Sequence, residues 1–154
     1  MTLSQAEFAD KDDNQLFRLI KTESWDAARE LLKSPEAQEL VRERDRFSNV
    51  PLHSALGFKA PDDVILSIIE IYPEATTVHG TDEWLPLHTA AMWGSSSKVL
   101  ETLIRHHPRA LDDKGEEGIK GRTPRHFSAR FPHNKELLER STDEWLAIID
   151  GNSS

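Results

Sequence analysis

The chain has 154 residues, of which 37% are hydrophobic, and its 27 acidic and 19 basic side chains give a formal net charge of −8. This length predicts one domain, and the acidic balance argues against duplex nucleic acid as the main partner, because neutralising phosphates requires clustered Lys and Arg. Residues 98–140 nevertheless hold ten Lys and Arg against seven Asp and Glu. The absence of cysteine excludes disulfides, thiolate nucleophiles and cysteine-ligated zinc.

The hydropathy of the chain indicates its compartment. No apolar stretch approaches the roughly 18 residues of a membrane-spanning helix. The first residues have neither the basic nor the apolar region of a secretory signal. We therefore expect a cytoplasmic protein, with the nucleus as the alternative location, and neither secretion nor membrane insertion.

The beginning of the chain predicts a flexible segment followed by short helices. Residues 1–12 are polar and lack a hydrophobic period, which indicates a flexible N-terminus. Asp13 or Asn14 is predicted to cap a first helix, because apolar residues follow at helical spacing. A second helix opens near Ser24 and is interrupted by Pro35, which then begins a short third helix.

A short phrase recurs along the rest of the chain. Its copies are Pro51-Leu52-His53-Ser54-Ala55, Pro86-Leu87-His88-Thr89-Ala90 and the altered Thr123-Pro124-Arg125-His126-Phe127-Ser128. They begin 35 and 38 residues apart, counted from the prolines, which is the spacing of a repeated supersecondary unit in a solenoid.

Each phrase is followed by a second helical pattern at a constant distance. The apolar positions of that pattern in the first two units are Val64, Ile65, Ile68 and Ile69, and Val99, Leu100, Leu103 and Ile104. Asp62 and Asp63 are predicted to cap the first of these helices, and residues 95–97 the second. In the third unit Leu137 and Leu138 keep the pattern, but Ser141 and Thr142 then replace the next apolar pair. A degenerate last unit suits a solenoid, whose end has no neighbour to cover it.

These patterns divide one domain, residues 13–150, into five parts. They are N-terminal capping helices at 13–44, a first repeat at 45–79, a second repeat with a long finger at 80–117, a degenerate third repeat at 118–141 and a C-terminal capping helix at 142–150. The last helix opens with a capping box at 141–144. We expect a disordered tail at 151–154.

The phrase resembles the Thr-Pro-Leu-His-x-Ala start of the ankyrin repeat. With 35-residue units, and with Leu-Pro-Leu-His at 85–88 and Tyr-Pro-Glu-Ala at 72–75, the chain is similar to ankyrin-like proteins of algae. The resemblance implies an all-α fold, a helical solenoid of about three repeats with N- and C-terminal helical caps. It also implies that the repeat motif forms the frame, at Pro51, Leu52, His53, Pro86, Leu87, His88, Thr123, Pro124 and His126.

The same resemblance implies a structural role for the histidines of the phrases. His53, His88 and His126 would each tie a helix start to neighbouring loops through imidazole hydrogen bonds. Repeat-related histidines lie along a line rather than around one point, which argues against a metal site. No set of nucleophile, base and orienting group can be assembled from the chain. We expect no metal, no cofactor and no enzymatic activity.

Three aromatic residues share one repeat position, seven residues beyond the proline of each phrase: Phe58, Trp93 and Phe131. The resemblance implies that the hairpin tips and the exposed face of each first helix bind a partner. Because aromatic side chains anchor many interfaces, we interpret the chain as an adaptor that holds a partner protein segment on its concave face. The predicted contact residues are Phe47, Phe58, Asp82, Glu83, Trp84, Met92, Trp93, Arg122, Arg130 and Phe131.

Three other interpretations stay open. The aromatic rings would instead pack on adjacent loops and stabilise the curvature of the stack. The chain would be a permanent structural subunit of a larger protein assembly, with the same rings always covered. Arg122, Arg125 and Arg130 would bind an anion or a phosphopeptide if their side chains converge.

Overall fold

The computed structural model describes residues 13–115 and 122–152, and every regular element within these ranges is a helix. The all-α prediction is therefore confirmed for the described part of the chain. The expectations for the N-terminus at 1–12, for the end of the finger and the start of the third repeat at 116–121, and for the last two residues lie outside it. No helix in the described ranges is both long enough and apolar enough to cross a membrane.

The α-helices are α1 (Gln15–Lys21), α2 (Trp25–Leu32), α3 (Ala37–Leu40), α4 (Pro51–Gly57), α5 (Asp62–Ile71), α6 (Pro86–Trp93), α7 (Ser97–His106), α8 (Pro132–Glu139) and α9 (Thr142–Asn152). Short 3-10 turns lie at Pro73–Thr77, Thr81–Glu83, Pro108–Asp112 and Pro124–Phe127.

Side-chain caps begin two of the helices as the sequence predicts. Asn14 Oδ1 accepts a hydrogen bond from the backbone N–H of Phe17 at 2.9 Å. Ser96 Oγ accepts one from the N–H of Val99 at 3.2 Å. Each bond satisfies an N–H group that has no partner inside its own helix, so these residues fix the starts of α1 and α7.

The other helix starts depend on proline and charge. Pro51 and Pro86 occupy the first turns of α4 and α6, where a missing N–H costs little. The prediction that Asp62 and Asp63 cap α5 is wrong, because both lie within its first turn. Acidic side chains in the first turn still interact favourably with the positive end of the helix dipole. Asp63 Oδ2 also accepts a hydrogen bond from Arg29 Nε of α2 at 2.7 Å.

The helices form two layers. In one layer α1, α4, α6 and the 124–127 turn contact one another in succession, and in the other α2, α5, α7 and α8 do the same. Apolar side chains from both layers meet in one buried cluster, which is the core of the described part. Its largest fully buried members include Leu16, Ile20, Leu52, Leu56, Ile68, Leu87, Leu100, Leu103 and Ile104.

The third unit departs from the first two. Its phrase forms a 3-10 turn, Pro124–Phe127, rather than an α-helix. Arg125 stands where Leu52 and Leu87 are buried in the first two units. An arginine at this position cannot enter an apolar core without partners, so the layer that contains α1, α4 and α6 ends here.

The Arg125 guanidinium instead binds the C-terminal end of the domain. Its Nη1 donates to the carbonyl oxygens of Leu138 at 2.7 Å and Arg140 at 2.6 Å. Its Nη2 donates to Thr142 Oγ1 at 3.0 Å, and its Nε to Asp112 Oδ1 at 2.9 Å. One side chain thereby joins α8, α9 and the turn before the finger.

The last helix, α9, closes the same end. Trp145 is fully buried, and its indole N–H donates to the Leu137 carbonyl at 3.1 Å. Ser141 Oγ accepts from the N–H of Glu144 at 3.1 Å, which is one of the two bonds of the predicted capping box. The helix continues to residue 152, so its predicted end at 150 was too early and 151–152 are not part of a tail.

Candidate binding groove

A groove of about 360 Å³ lies beside α4 and α6 and the loops that precede them. Five predicted contact residues line it: Phe47, Phe58, Asp82, Trp84 and Trp93. The other lining residues are not among the predicted contact residues; they are Lys21, Asp45, Asn49, His53, Ser54, Gly57, Thr81 and Thr89.

The four aromatic side chains of the groove differ in exposure. Phe47 is 49% exposed and Trp93 is 42% exposed, and they are the exposed large hydrophobic residues of the described part. Phe58 and Trp84 are half-buried and pack against the core. The interpretation that all the rings are packed therefore fits Phe58 and Trp84 better than it fits Phe47 and Trp93.

Trp84 is held firmly in the wall of the groove. Its ring stacks on the imidazole of His88, with centroids 5.4 Å apart, and meets Phe127 edge-on at 5.9 Å. Gly115 has a φ of +65°, and a Cβ there would lie 2.9 Å from Trp84 Cδ1. Glycine at this position therefore permits both the turn and the close approach of the indole.

The loops on either side of the groove are joined by hydrogen bonds. Asp45 Oδ1 accepts from the N–H groups of Phe47 at 2.9 Å and Asn49 at 3.0 Å. Asn49 Oδ1 accepts from the N–H of Thr81 at 3.0 Å, and Thr81 Oγ1 donates to the Phe47 carbonyl at 2.8 Å. These bonds fix the backbone that carries Phe47 beside the next loop.

A buried ion cluster forms the end of the groove next to α1. Lys21 Nζ lies 3.0 Å from Asp13 Oδ2 and 3.0 Å from Asp45 Oδ2. The same Nζ lies 5.1 Å from the ring centroid of Phe17 and 5.9 Å from that of Phe47. Sequence reasoning missed this cluster, although Lys21 follows Phe17 by four residues and so shares the buried face of α1.

His53 and His88 make the same pair of hydrogen bonds. Each Nδ1 accepts from the N–H of the residue before its helix, Val50 at 3.2 Å and Leu85 at 3.0 Å. Each Nε2 then donates to a carbonyl oxygen of the following loop. The acceptor is Trp84 at 3.1 Å for His53, and Asp113 at 2.8 Å for His88. Accepting at one nitrogen and donating at the other requires a neutral imidazole.

Burial favours that neutral form. It lowers the pKa of His53 to about 4, although backbone hydrogen bonds raise it in part. Burial also lowers the pKa of His88, opposed by its bond to the Asp113 carbonyl. Both histidines therefore serve the frame of the groove in their uncharged state.

His126 does not follow this arrangement. Its side chain is exposed, and within the described residues its imidazole makes an edge-on contact with Phe127 at 5.2 Å but no hydrogen bond. The expectation that it ties neighbouring loops as His53 and His88 do is wrong for the part of the chain described. The physical reason is that the unit forms a 3-10 turn, after which comes α8 rather than another phrase.

The third of the three aromatic residues at the shared repeat position, Phe131, does not continue the arrangement of Phe58 and Trp93. Phe131 has an extended backbone and precedes α8, so it does not end a helix as Trp93 does. Its ring lies against Gly94, where an added Cβ would approach ring atoms to 2.6 Å. Phe131 and Trp93 line a second, smaller depression of about 250 Å³.

The remaining predicted contact residues lie outside the groove. Met92 is half-buried against the core, and Arg122 is half-buried at the edge of the described range. Arg130 is exposed, with its guanidinium 5.9 Å from the Phe131 ring. Glu83 is exposed beside Asp82 and lines a neighbouring depression.

Comparisons with known proteins add no assignment: no protein-family model matches the chain, and no curated protein matches it. Within residues 13–115 and 122–152, no group of three or more His, Cys, Asp or Glu side chains is arranged to hold a metal ion. The groove is lined by aromatic rings, two carboxylates, the buried ammonium group of Lys21 and the neutral imidazole of His53.

Proposed function

We propose that the chain is a non-enzymatic adaptor, a solenoid of about three ankyrin-type repeats that binds a segment of a partner protein in the groove. The observation that carries the proposal is the exposure of Phe47 and Trp93 at a groove whose walls are otherwise fixed. Buried aromatic anchors contribute about 2 kcal/mol or more each to many interfaces. A rigid site also avoids the entropy loss of ordering loops when a partner binds.

Hydrogen bonds between corresponding positions of successive units support the solenoid part of the proposal. Arg44 Nη1 donates to the His79 carbonyl, 35 residues away, and His79 Nε2 lies 2.9 Å from Asp113 Oδ2, 34 residues further on. In the layer of α2, α5, α7 and α8, Ser96 Oγ donates to Asp62 Oδ2, 34 residues away. Contacts at one constant separation are expected when similar units stack on one another.

Affinity capture with matched variants tests the adaptor. Wild-type protein, Trp93→Ala and Trp25→Ala are each immobilised and exposed to lysate of the source cell. Trp25 is half-buried in α2, in the layer opposite the groove. We expect a protein retained by wild type and Trp25→Ala but lost from Trp93→Ala. A capture pattern that Trp93→Ala leaves unchanged contradicts the proposal.

The alternative is a permanent subunit of a larger assembly, and the same exposed rings favour it, because obligate interfaces bury apolar surface continuously. Size-exclusion chromatography with light scattering separates the two functions. A monodisperse monomer at all concentrations supports the adaptor. Self-association or aggregation that Trp93→Ala abolishes supports the subunit.

The anion-binding alternative has less support. The Arg125 guanidinium donates to two carbonyl oxygens, a hydroxyl and a carboxylate within its own domain. Arg130 lies over the ring of Phe131 instead of beside Arg125. Phosphopeptide affinity that is unaffected by Arg130→Ala would exclude this function.

A further inference from the structure

The groove carries an excess of negative charge, and this property suggests the chemistry of its occupant. The inference rests on the proposed function, because it concerns the same groove. The groove lies in the acidic part of the chain, since the residues outside 98–140 carry a formal net charge of −11. Complementary charge is what orients a partner and accelerates its association.

Among the described residues that line the groove, Lys21 is the one Lys or Arg, and its charge is already neutralised. Lys21 is 4% exposed and lies between the carboxylates of Asp13 and Asp45. The three groups together have a formal charge of −1. Lys21 therefore cannot attract an acidic partner, and the cluster as a whole favours a cation.

Two more carboxylates belong to the loop before Trp84: Asp82, which lines the groove, and Glu83, which lines the neighbouring depression. Asp82 and Glu83 are both exposed, and neither makes an ion pair within the described residues. Both have positive φ, near 59°, a conformation that non-glycine residues adopt at a cost of about 1 kcal/mol or more each. Residues held in strained conformations cluster at functional sites.

Two arginines of the preceding loop are engaged elsewhere. Arg44 Nη1 donates to the carbonyl oxygens of Ser48 and His79. The Arg46 guanidinium lies 4.7 Å from the ring centroid of Phe47. Both arginines line the neighbouring depression and are not among the residues that line the groove.

The Trp93 indole lines the same groove as Asp45 and Asp82 and is suited to a cation. Trp93 is 42% exposed, and within the described part its indole contacts neither another ring nor a basic group. The face of an indole attracts ammonium and guanidinium groups more strongly than that of any other side chain. The Phe47 ring already receives such a group from Arg46, so the chain itself contains the contact that we assign to the partner.

We propose that the groove binds a partner segment in which one Lys or Arg side chain is flanked by apolar residues. The cationic group lies against the Trp93 indole within the field of Asp82 and Asp45, and the flanking apolar side chains contact Phe47 and Phe58. The occupant is a protein segment, because the groove offers apolar walls for side chains on both sides of the cationic group.

Peptide display tests this inference separately from the proposed function. A library of random peptides is selected on the wild-type protein and counter-selected on Trp93→Ala. We expect enriched sequences that contain Lys or Arg next to apolar residues. Enrichment of neutral or acidic sequences would overturn the inference while leaving the adaptor intact. If no sequence depends on Trp93, the adaptor itself fails, and the inference with it.

The charge is then tested on one enriched peptide. Replacing its Lys or Arg by norleucine is expected to weaken binding about tenfold or more. Asp82→Asn is expected to weaken binding of the cationic peptide about threefold to tenfold, and to leave binding of the norleucine peptide unchanged. Asparagine tolerates a positive φ, so this variant keeps the loop. Asp150→Asn, at an exposed site on α9, is the matched control. Equal affinity for both peptides would overturn the inference.

Discussion

The second and third units begin with similar phrases and fold differently. In the second unit, Pro86–Trp93 is an α-helix, and His88 is buried and bonded to the loop that follows. In the third, Pro124–Phe127 is a 3-10 turn, and His126 is exposed. The phrase therefore favours a helix start, but the length of the helix depends on what comes next along the chain.

Two differences explain the outcome. Leu87 is buried in the core, whereas the equivalent Arg125 turns to the carbonyl oxygens at the end of α8. Trp145 of α9 is fully buried at this same end of the domain. The third unit ends the succession of contacting helices, and the described residues that line the groove come from α1 and the first two units.

Acid should destabilise the fold, because His53 and His88 stay neutral in the folded protein at a pH where the unfolded chain protonates them. The pKa of His53 is lowered by burial from its ordinary value of about 6.5 to about 4, so its stabilising contribution is complete above pH 6.5 and lost as the pH falls towards 4. The total loss is about 3 kcal/mol for this shift, and His88 contributes in the same direction.

Urea unfolding between pH 7 and pH 4, together with an NMR titration of the His53 imidazole, measures this effect. A pKa of His53 near 6.5 would contradict the buried, neutral arrangement.

Making the third unit more like the second should destabilise it. Arg125→Leu restores the residue type of Leu52 and Leu87, but it leaves the carbonyl oxygens of Leu138 and Arg140 without their donor. We expect a loss of about 2 kcal/mol in the free energy of unfolding, because hydrogen bonds to charged groups contribute about 1.5–3 kcal/mol. Chemical denaturation of wild type and Arg125→Leu measures this difference in the free energy of unfolding.

Arg125→Lys is the control that separates charge from geometry. Lysine keeps the positive charge but lacks the planar guanidinium, whose several N–H groups reach different acceptors at once. It should recover only part of the lost stability. An Arg125→Leu protein that is more stable than wild type would show that the ordinary leucine position is available in the third unit.

The smallest effect is expected at His126. His126→Gln should change the free energy of unfolding by less than about 0.5 kcal/mol, because an exposed side chain is replaced. His88→Gln is the matched substitution in the second unit and should cost about 2 kcal/mol, since a buried N–H and a carbonyl lose their partner. Equal losses for the two variants, measured by thermal unfolding, would contradict the difference between the units.

Much of the fold follows from local sequence, and the failures have physical causes. The prolines of the phrases, the cap at Ser96 and the helical spacing of the apolar residues act within one turn of helix, so they are readable without the structure. The position of Phe131 was mispredicted because the seven-residue distance from proline assumes that an α-helix continues. The shared repeat position therefore identified two residues that line the groove, Phe58 and Trp93, and wrongly added Phe131.

The ion cluster at the end of the groove was missed for a different reason. Lys21 and Asp45 are 24 residues apart, and their pairing depends on how α1 packs beside the next loop. Nothing in the local pattern around Asp45 distinguishes it from other charged residues. Contacts of this kind depend on tertiary structure, which a repeat pattern alone does not supply.

The central claim is that the exposed aromatic surface of the groove binds a partner and does not serve the core. Its most direct test is to measure affinity and stability on the same Trp93→Ala protein, with a peptide enriched on the wild-type groove. We predict that binding weakens by about 30-fold or more, while the free energy of unfolding changes by less than about 1 kcal/mol. Loss of about 3 kcal/mol of stability, or unchanged affinity, would contradict the claim.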